Sequence, residues 1–227
     1  MLAMETEMKT QRAIRSGTGF TLTELLVVIC VVAIVIALIL PMLARPRDHY
    51  VPPCANMLKQ IGLAFRIWEG DNGDKFPMQV SVTNGGAMEL AVAGDVSAIF
   101  RVMSNELATP KVLICPQDTK RITATDFSAR FSNANISYFV SLDAEDKYPK
   151  MILSGDDNLE VNGVRVRPGS LNLRTNASVG WTTERIGRFH GPGNIAVVDG
   201  SVQTTTDSAL QSAFVSTGNY TNRLVIP

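Results

Sequence analysis

Residues 19–44 read GFTLTELLVVICVVAIVIALILPMLA, and this stretch decides the architecture. From Leu25 to Ala44 no side chain carries a charge. Twenty helical residues rise about 30 Å, the thickness of a bilayer's hydrocarbon. The run therefore predicts a long N-terminal hydrophobic helix over residues 20–44, serving as a transmembrane or assembly helix. Upstream, residues 1–19 form a polar leader carrying Lys9, Arg12 and Arg15, followed by the small residues Ser16, Gly17 and Gly19. Basic residues ahead of such a run favour an amino terminus on the cytoplasmic side. An ordinary secretory signal needs small residues at a cleavage site after the apolar run. Here that position reads Pro41-Met42-Leu43-Ala44-Arg45, a poor fit.

Glu24 stands at the edge of the apolar run. A carboxylate at the edge of a membrane helix is costly unless paired, and such residues are usually functional. A capping role explains it poorly, because Thr21 or Thr23 already offers a cap.

The stretch Gly19-Phe20-Thr21-Leu22-Thr23-Glu24-Leu25-Leu26 resembles the processing site of type IV pilins and type II secretion pseudopilins. The resemblance implies cleavage by a prepilin peptidase between Gly19 and Phe20, and N-methylation of Phe20. It also assigns Glu24 and Pro41 to assembly, as the fifth and twenty-second mature positions. Cleavage would create a charged amine at Phe20. Glu24 of a neighbouring subunit would neutralise that amine and fix the axial register, because an unpaired charge is expensive in low dielectric. Pro41 removes a backbone hydrogen bond and kinks or locally melts the helix.

Residues 45–53 read Arg-Pro-Arg-Asp-His-Tyr-Val-Pro-Pro, a Pro-rich bend that interrupts the helix. The remainder, 54–227, is expected to be a globular, pilin-like extracytoplasmic domain. Its first element is a second helix over Cys54–Trp68, with Met57, Leu58, Ile61, Phe65 and Trp68 on one face at 3–4-residue spacing. The segment from Cys54 to Pro77 is similar to the post-anchor segment of G-type pseudopilin-like proteins. Residues 88–108 predict a further helix burying Leu90, Val92, Val96, Ile99, Phe100 and Leu107. Strands are expected at 111–115, 135–141, 151–154 and 179–182. A hairpin turning at Asp199-Gly200 is expected over 194–203, and an edge strand at 223–227. Helices first and strands later give an α+β class with a mostly antiparallel sheet.

The formal net charge is zero, so no basic excess marks a nucleic-acid partner. The hydrophobic fraction is 45 %, enough for a core in a domain of this length. Of the three cysteines, Cys30 lies in the apolar run, and Cys54 and Cys115 form a disulfide if the domain lies outside the cytoplasm.

The two histidines are His49 and His190. Phe189-His190-Gly191-Pro192…Asp199-Gly200 resembles the His…Asp-Gly signature of prepilin-processed proteins, with eight intervening residues where nine are usual. Without a nucleophile on an elbow it makes no triad, and no catalytic residue is assigned. Asp156, Asp157 and Asn158 are weak calcium candidates, since calcium prefers clustered oxygens and G-type pseudopilins carry calcium in a late loop. Asp71-Asn72-Gly73-Asp74 is a similar cluster, and neither has EF-hand spacing.

The expectation that follows is a non-enzymatic, pseudopilin-like subunit of a type II secretion-type or type IV pilus-type filament. Its partners are the prepilin peptidase and other pilin or pseudopilin subunits, like or unlike itself. It sits in the bacterial inner membrane as a single-pass protein with its C-terminal domain in the periplasm. The alternative is a membrane-tethered periplasmic binding or enzymatic domain that uses the prepilin leader for export only.

Overall fold

The computed structural model describes residues 19–43, 53–182, 193–218 and 220–227. The chain divides into two units, Met1–His49 and Tyr50–Pro227. The first unit holds helix α1, Leu22–Leu43. Over 22–37 its apolar side chains stand exposed all round, from Leu22 at 80 % to Val35 at 47 %.

The expectation of a long N-terminal hydrophobic helix that crosses a membrane is corrected here. Among the described residues no helix is long and apolar enough to do so. The side chains of α1 are described over 22–37. Pro41 falls in the last turn of α1, its side chain outside the described residues, as is most of the 45–53 bend.

The second unit opens with α2, Pro53–Asp71. Pro53 takes the first helical position, where no amide hydrogen is needed. Leu58, Ile61, Phe65 and Trp68 are buried, as their spacing predicts. Phe65 meets Phe76 and Phe100 edge-on, with ring centroids 5.9 and 6.0 Å apart. Beyond the last turn, Asn72 Nδ2 donates to the Trp68 carbonyl (2.7 Å), and the Asn72 amide to that of Glu69 (3.0 Å). These bonds satisfy carbonyls that a helix end leaves open.

The helix expected over 88–108 is three short ones: α3 Met88–Val92, α4 Val96–Val102 and α5 Ser104–Leu107. The break is local chemistry. Gly94 adopts φ +99°, a left-handed conformation that glycine tolerates, and a Cβ there would lie 3.3 Å from Gly169 Cα. Asp95 then caps α4, accepting from the Ala98 amide at 3.2 Å. Val96, Ile99, Phe100 and Leu107 are buried as expected, but Leu90 and Val92 are exposed because α3 ends before the core face continues. The strand expected at 111–115 is instead a 3-10 turn, Pro110–Leu113. Pro110 presets its first residue, and Thr109 Oγ1 accepts from the Lys111 amide at 3.4 Å.

Among the described residues nine strands follow: β1 Tyr138–Ser141, β2 Ile152–Asp156, β3 Leu159–Val161, β4 Val164–Arg165, β5 Gly169–Arg174, β6 Val179–Trp181, β7 Gly193–Val197, β8 Val202–Thr205 and β9 Thr221–Ile226. Helix α6, Asp207–Val215, precedes β9. Six strands form one antiparallel sheet in the order β5-β9-β1-β2-β7-β8, and three form a second in the order β4-β3-β6. The α+β, antiparallel part of the expectation describes this domain. The C-terminal strand does not lie at the edge, however: β9 runs between β5 and β1.

Alternate residues of the large sheet enter different cores. Tyr138, Val140, Leu153 and Ala196 join the helices α2–α5, whereas Phe139, Ile152, Ile195 and Leu224 join α6 and the small sheet. Period-2 alternation thus buries both faces.

Trp181 ties the small sheet to the large one. Its Nε1 donates to the Thr205 carbonyl at 2.8 Å, and its ring lies over Gly193, where a Cβ would fall 2.4 Å from ring carbon Cδ2. Gly193→Ala is therefore expected to cost about 1–3 kcal/mol by overpacking. Gly62→Ala, whose Cβ would meet Gly200 O at an ordinary 3.8 Å, should be neutral or stabilising in mid-helix. Equal thermal unfolding midpoints for the two variants would contradict this account.

Candidate functional site

The Gly19–Phe20 junction lies immediately before α1. Both residues are exposed, Phe20 at 78 %, and among the described residues nothing lies within 4 Å of where a Gly19 Cβ would stand. The next four residues build a capping box. The Thr21 amide donates to Glu24 Oε2 at 2.9 Å, and the Glu24 amide donates to Thr21 Oγ1 at 3.3 Å. The Thr21 hydroxyl also donates to Glu24 Oε2, at 2.7 Å.

Sequence reading discounts Glu24 as a cap because Thr21 or Thr23 already offers one; the structure uses Thr21 and Glu24 together. The Thr-x-x-Glu spacing was the available signal. Glu24 is thus already hydrogen-bonded within its own chain, at a helix N-terminus whose dipole favours a carboxylate.

Cys54 and Cys115 are joined by a disulfide, with Cα atoms 4.9 Å apart, inside the usual range for such bonds. The bond links the first turn of α2 to the residue pair following the Pro110–Leu113 turn. Cys30 is free and exposed on α1.

Asp156, Asp157 and Asn158 are all buried, but they do not converge on one point. Asp156 Oδ2 accepts from the amide and Nδ2 of Asn194, at 2.8 and 2.9 Å. Asp157 pairs with Arg121, and Asn158 Nδ2 donates to the Thr182 carbonyl at 3.0 Å. Among the described residues no group of three or more His, Cys, Asp or Glu is placed to hold a metal ion. The carboxylates of Asp156 and Asp157 are turned to separate protein partners.

Arg121 is a hub that sequence reading missed. It reaches Asp157, Asp118 (3.4 Å), the Asn133 carbonyl (2.6 Å) and the Pro227 carbonyl (3.2 Å). Most of these partners are distant along the chain, so no local motif could have found it. Around it lies a cavity of about 270 Å³.

His49 and His190 lie outside the described residues. The Asp-Gly part of the signature is described and serves as turn chemistry. Asp199 Oδ1 accepts from the Ser201 amide at 2.8 Å, and Gly200 sits at φ +84°. Bonding from the Ser201 side chain and then its amide holds the Asp199 carboxyl below its ordinary range.

No family model matches the chain, nor does any curated protein or solved structure.

Proposed function

We propose that this chain is a structural, pseudopilin-like subunit of a type II secretion-type or type IV pilus-type filament, processed by prepilin peptidase between Gly19 and Phe20. One observation carries the reading. An exposed, unobstructed Gly-Phe junction opens directly onto a capped helix whose apolar side chains are exposed around its whole circumference. A helix that is hydrophobic all round needs a partner to cover it. Copies of α1 from this chain or from related subunits are the partner that the prepilin resemblance suggests. The disulfide supports a domain on the oxidising, periplasmic side of a bacterial inner membrane.

On this reading the chain is an assembling protein and not a catalyst. The capping box refines the part given to Glu24. Removal of the leader would leave the new amine on Phe20, one residue from the Thr21 amide that already bonds Glu24. Glu24 therefore has two candidate cations, its own amine and a neighbour's. Replacing Cys30 with serine and placing single cysteines at Phe20 or Glu24 allows a test in cells. Crosslinked species beyond a monomer are expected, and fewer of them when Glu24 is alanine in a chain crosslinked from Phe20→Cys. Monomer alone in every case would overturn assembly through α1.

A further inference from the structure

The loop between β1 and β2, residues 142–151, is anchored at two points by ion pairs. Near its start, Arg223 of β9 holds Asp143: its amide and Nε donate at 2.6 and 2.7 Å, with Nη2 at 2.6 Å. Three residues on, Asp146 pairs with Arg66 of α2. The same Arg66 nitrogen also meets Glu69 Oε2 at 2.9 Å. Two carboxylates therefore share one guanidinium nitrogen. Glu69 is 3 % exposed, whereas Arg66 and Asp146 are 39 % and 38 % exposed.

A like charge beside a buried carboxylate disfavours its ionisation, and loss of solvent does so further. The anchored loop forms one wall of a groove of about 610 Å³, through Leu142, Asp143 and Glu145; Met88 and Val92 of α3 and Tyr220 lie across from it.

We propose that Glu69, Asp146 and Arg66 form a proton-operated clasp. One proton taken from solvent onto the Glu69 carboxyl is donated in a hydrogen bond to Asp146, draws the β1–β2 loop onto α2 and fixes the wall of the groove. Release of that proton leaves two carboxylates competing for Arg66, and the loop loosens at Asp146 while Asp143 stays tied to Arg223.

The other charges around the clasp favour the protonated form. Asp74, just beyond α2, adds a third negative charge near Glu69. Among the described residues Arg66 is the cation that acts on Glu69. On the sheet side, Asp199 of the β7–β8 turn faces both Arg66 and Lys150. Burial first, opposed by Arg66, raises the Glu69 carboxyl above its ordinary value, with Asp146 and Asp74 adding to the rise.

The sign follows by linkage. A carboxyl raised on folding adds stability at acid pH, and that stability is lost as pH climbs through the folded value. Asp199, Glu89 and Asp126, whose carboxyls are lowered, act oppositely. They are common to every variant and cancel in a difference.

The test compares full-length chain, Glu69→Gln and Asp146→Asn in thermal unfolding from about pH 7.5 to about pH 5. Relative to Glu69→Gln, the parent midpoint is expected to rise by about 2–4 °C as pH falls. Amide protection factors in residues 142–148, corrected for the intrinsic pH dependence of exchange, should rise over the same interval in the parent only. Asp146→Asn removes the proton acceptor's charge, and should flatten the difference in the same way if Glu69→Gln folds poorly. Parallel midpoint curves, or protection factors in 142–148 that do not change with pH in the parent, would overturn the clasp.

Discussion

Gly19→Val is expected to leave the chain with its leader attached. An intramembrane peptidase must bring its catalytic groups against the backbone on both sides of the scissile bond, and a residue without Cβ allows that approach. A branched side chain at this point should slow cleavage at least about a hundredfold, equivalent to roughly 3 kcal/mol at the transition state. The structure separates this effect from folding. Among the described residues nothing lies within 4 Å of a Cβ built at Gly19, and the residue precedes the capping box without joining it. The domain of Gly19→Val should therefore unfold at the parent temperature while its amino terminus differs. Intact-mass analysis of the protein from cells reads both forms. A mature terminus at Phe20 in Gly19→Val would sink the prepilin reading. Gly19→Ala should lie between the two, since one methyl is the smallest obstruction available.

Legibility in the sequence followed the range of the interactions. The buried face of α2 was readable because Leu58, Ile61, Phe65 and Trp68 recur at helical spacing and the core obeys that spacing. The β7–β8 hairpin was readable because Asp199-Gly200 supplies its own turn. The β3–β4 hairpin had an equally local signal, Asn162-Gly163, with φ +52° and +73°. Its strands, three and two residues long, are too short to show an alternating pattern. Strand β5 also carries a signal, the alternation Ser170-Leu171-Asn172-Leu173-Arg174, with Leu173 in the core. Placing it was a different matter. Only pairing with β9, Gly169 opposite Ile226 through Arg174 opposite Thr221, makes it the edge and moves the C-terminal strand inward. Such pairing joins residues some fifty positions apart, and no local pattern encodes it.

The candidate site divides in the same way. Gly19, Phe20, Thr21 and Glu24 form a contiguous motif, visible in one reading frame. The Arg66–Glu69 spacing is local too, but its meaning depends on Asp146, 80 residues from Arg66. Arg121 gathers partners from four separate segments and left no trace in the sequence that could be acted on. The helix expected over 88–108 failed for a local reason. Gly94 and Asp95 are a stop and a start side by side, and apolar periodicity alone runs straight through them.

Removing the disulfide is the other change with a large expected effect. Cys54 and Cys115 are 61 residues apart, and both are buried, at 3 % and 0 % exposure. In the chain-entropy account, closing a loop of this length in the unfolded state stabilises the fold by about 4 kcal/mol. That is a large share of the roughly 5–15 kcal/mol by which domains of this kind are stable. The bond also fixes the first turn of α2, the helix that buries Phe65 and Trp68 against the sheet. Its loss should therefore let α2 fray from the end that the structure pins.

The double variant Cys54→Ala with Cys115→Ala avoids leaving a lone buried thiol, and is expected to melt about 8–16 °C below the parent. Reductant should lower the parent midpoint toward that of the variant and leave the variant itself unmoved. A loss below about 1 kcal/mol, or a parent insensitive to reductant in the unfolding range, would remove the bond from the forces that hold this domain. The measurement also bears on where the protein works. A domain that needs this bond to stay folded at growth temperature cannot mature in a reducing cytosol, so thiol alkylation of protein taken from cells should find Cys54 and Cys115 blocked and Cys30 free.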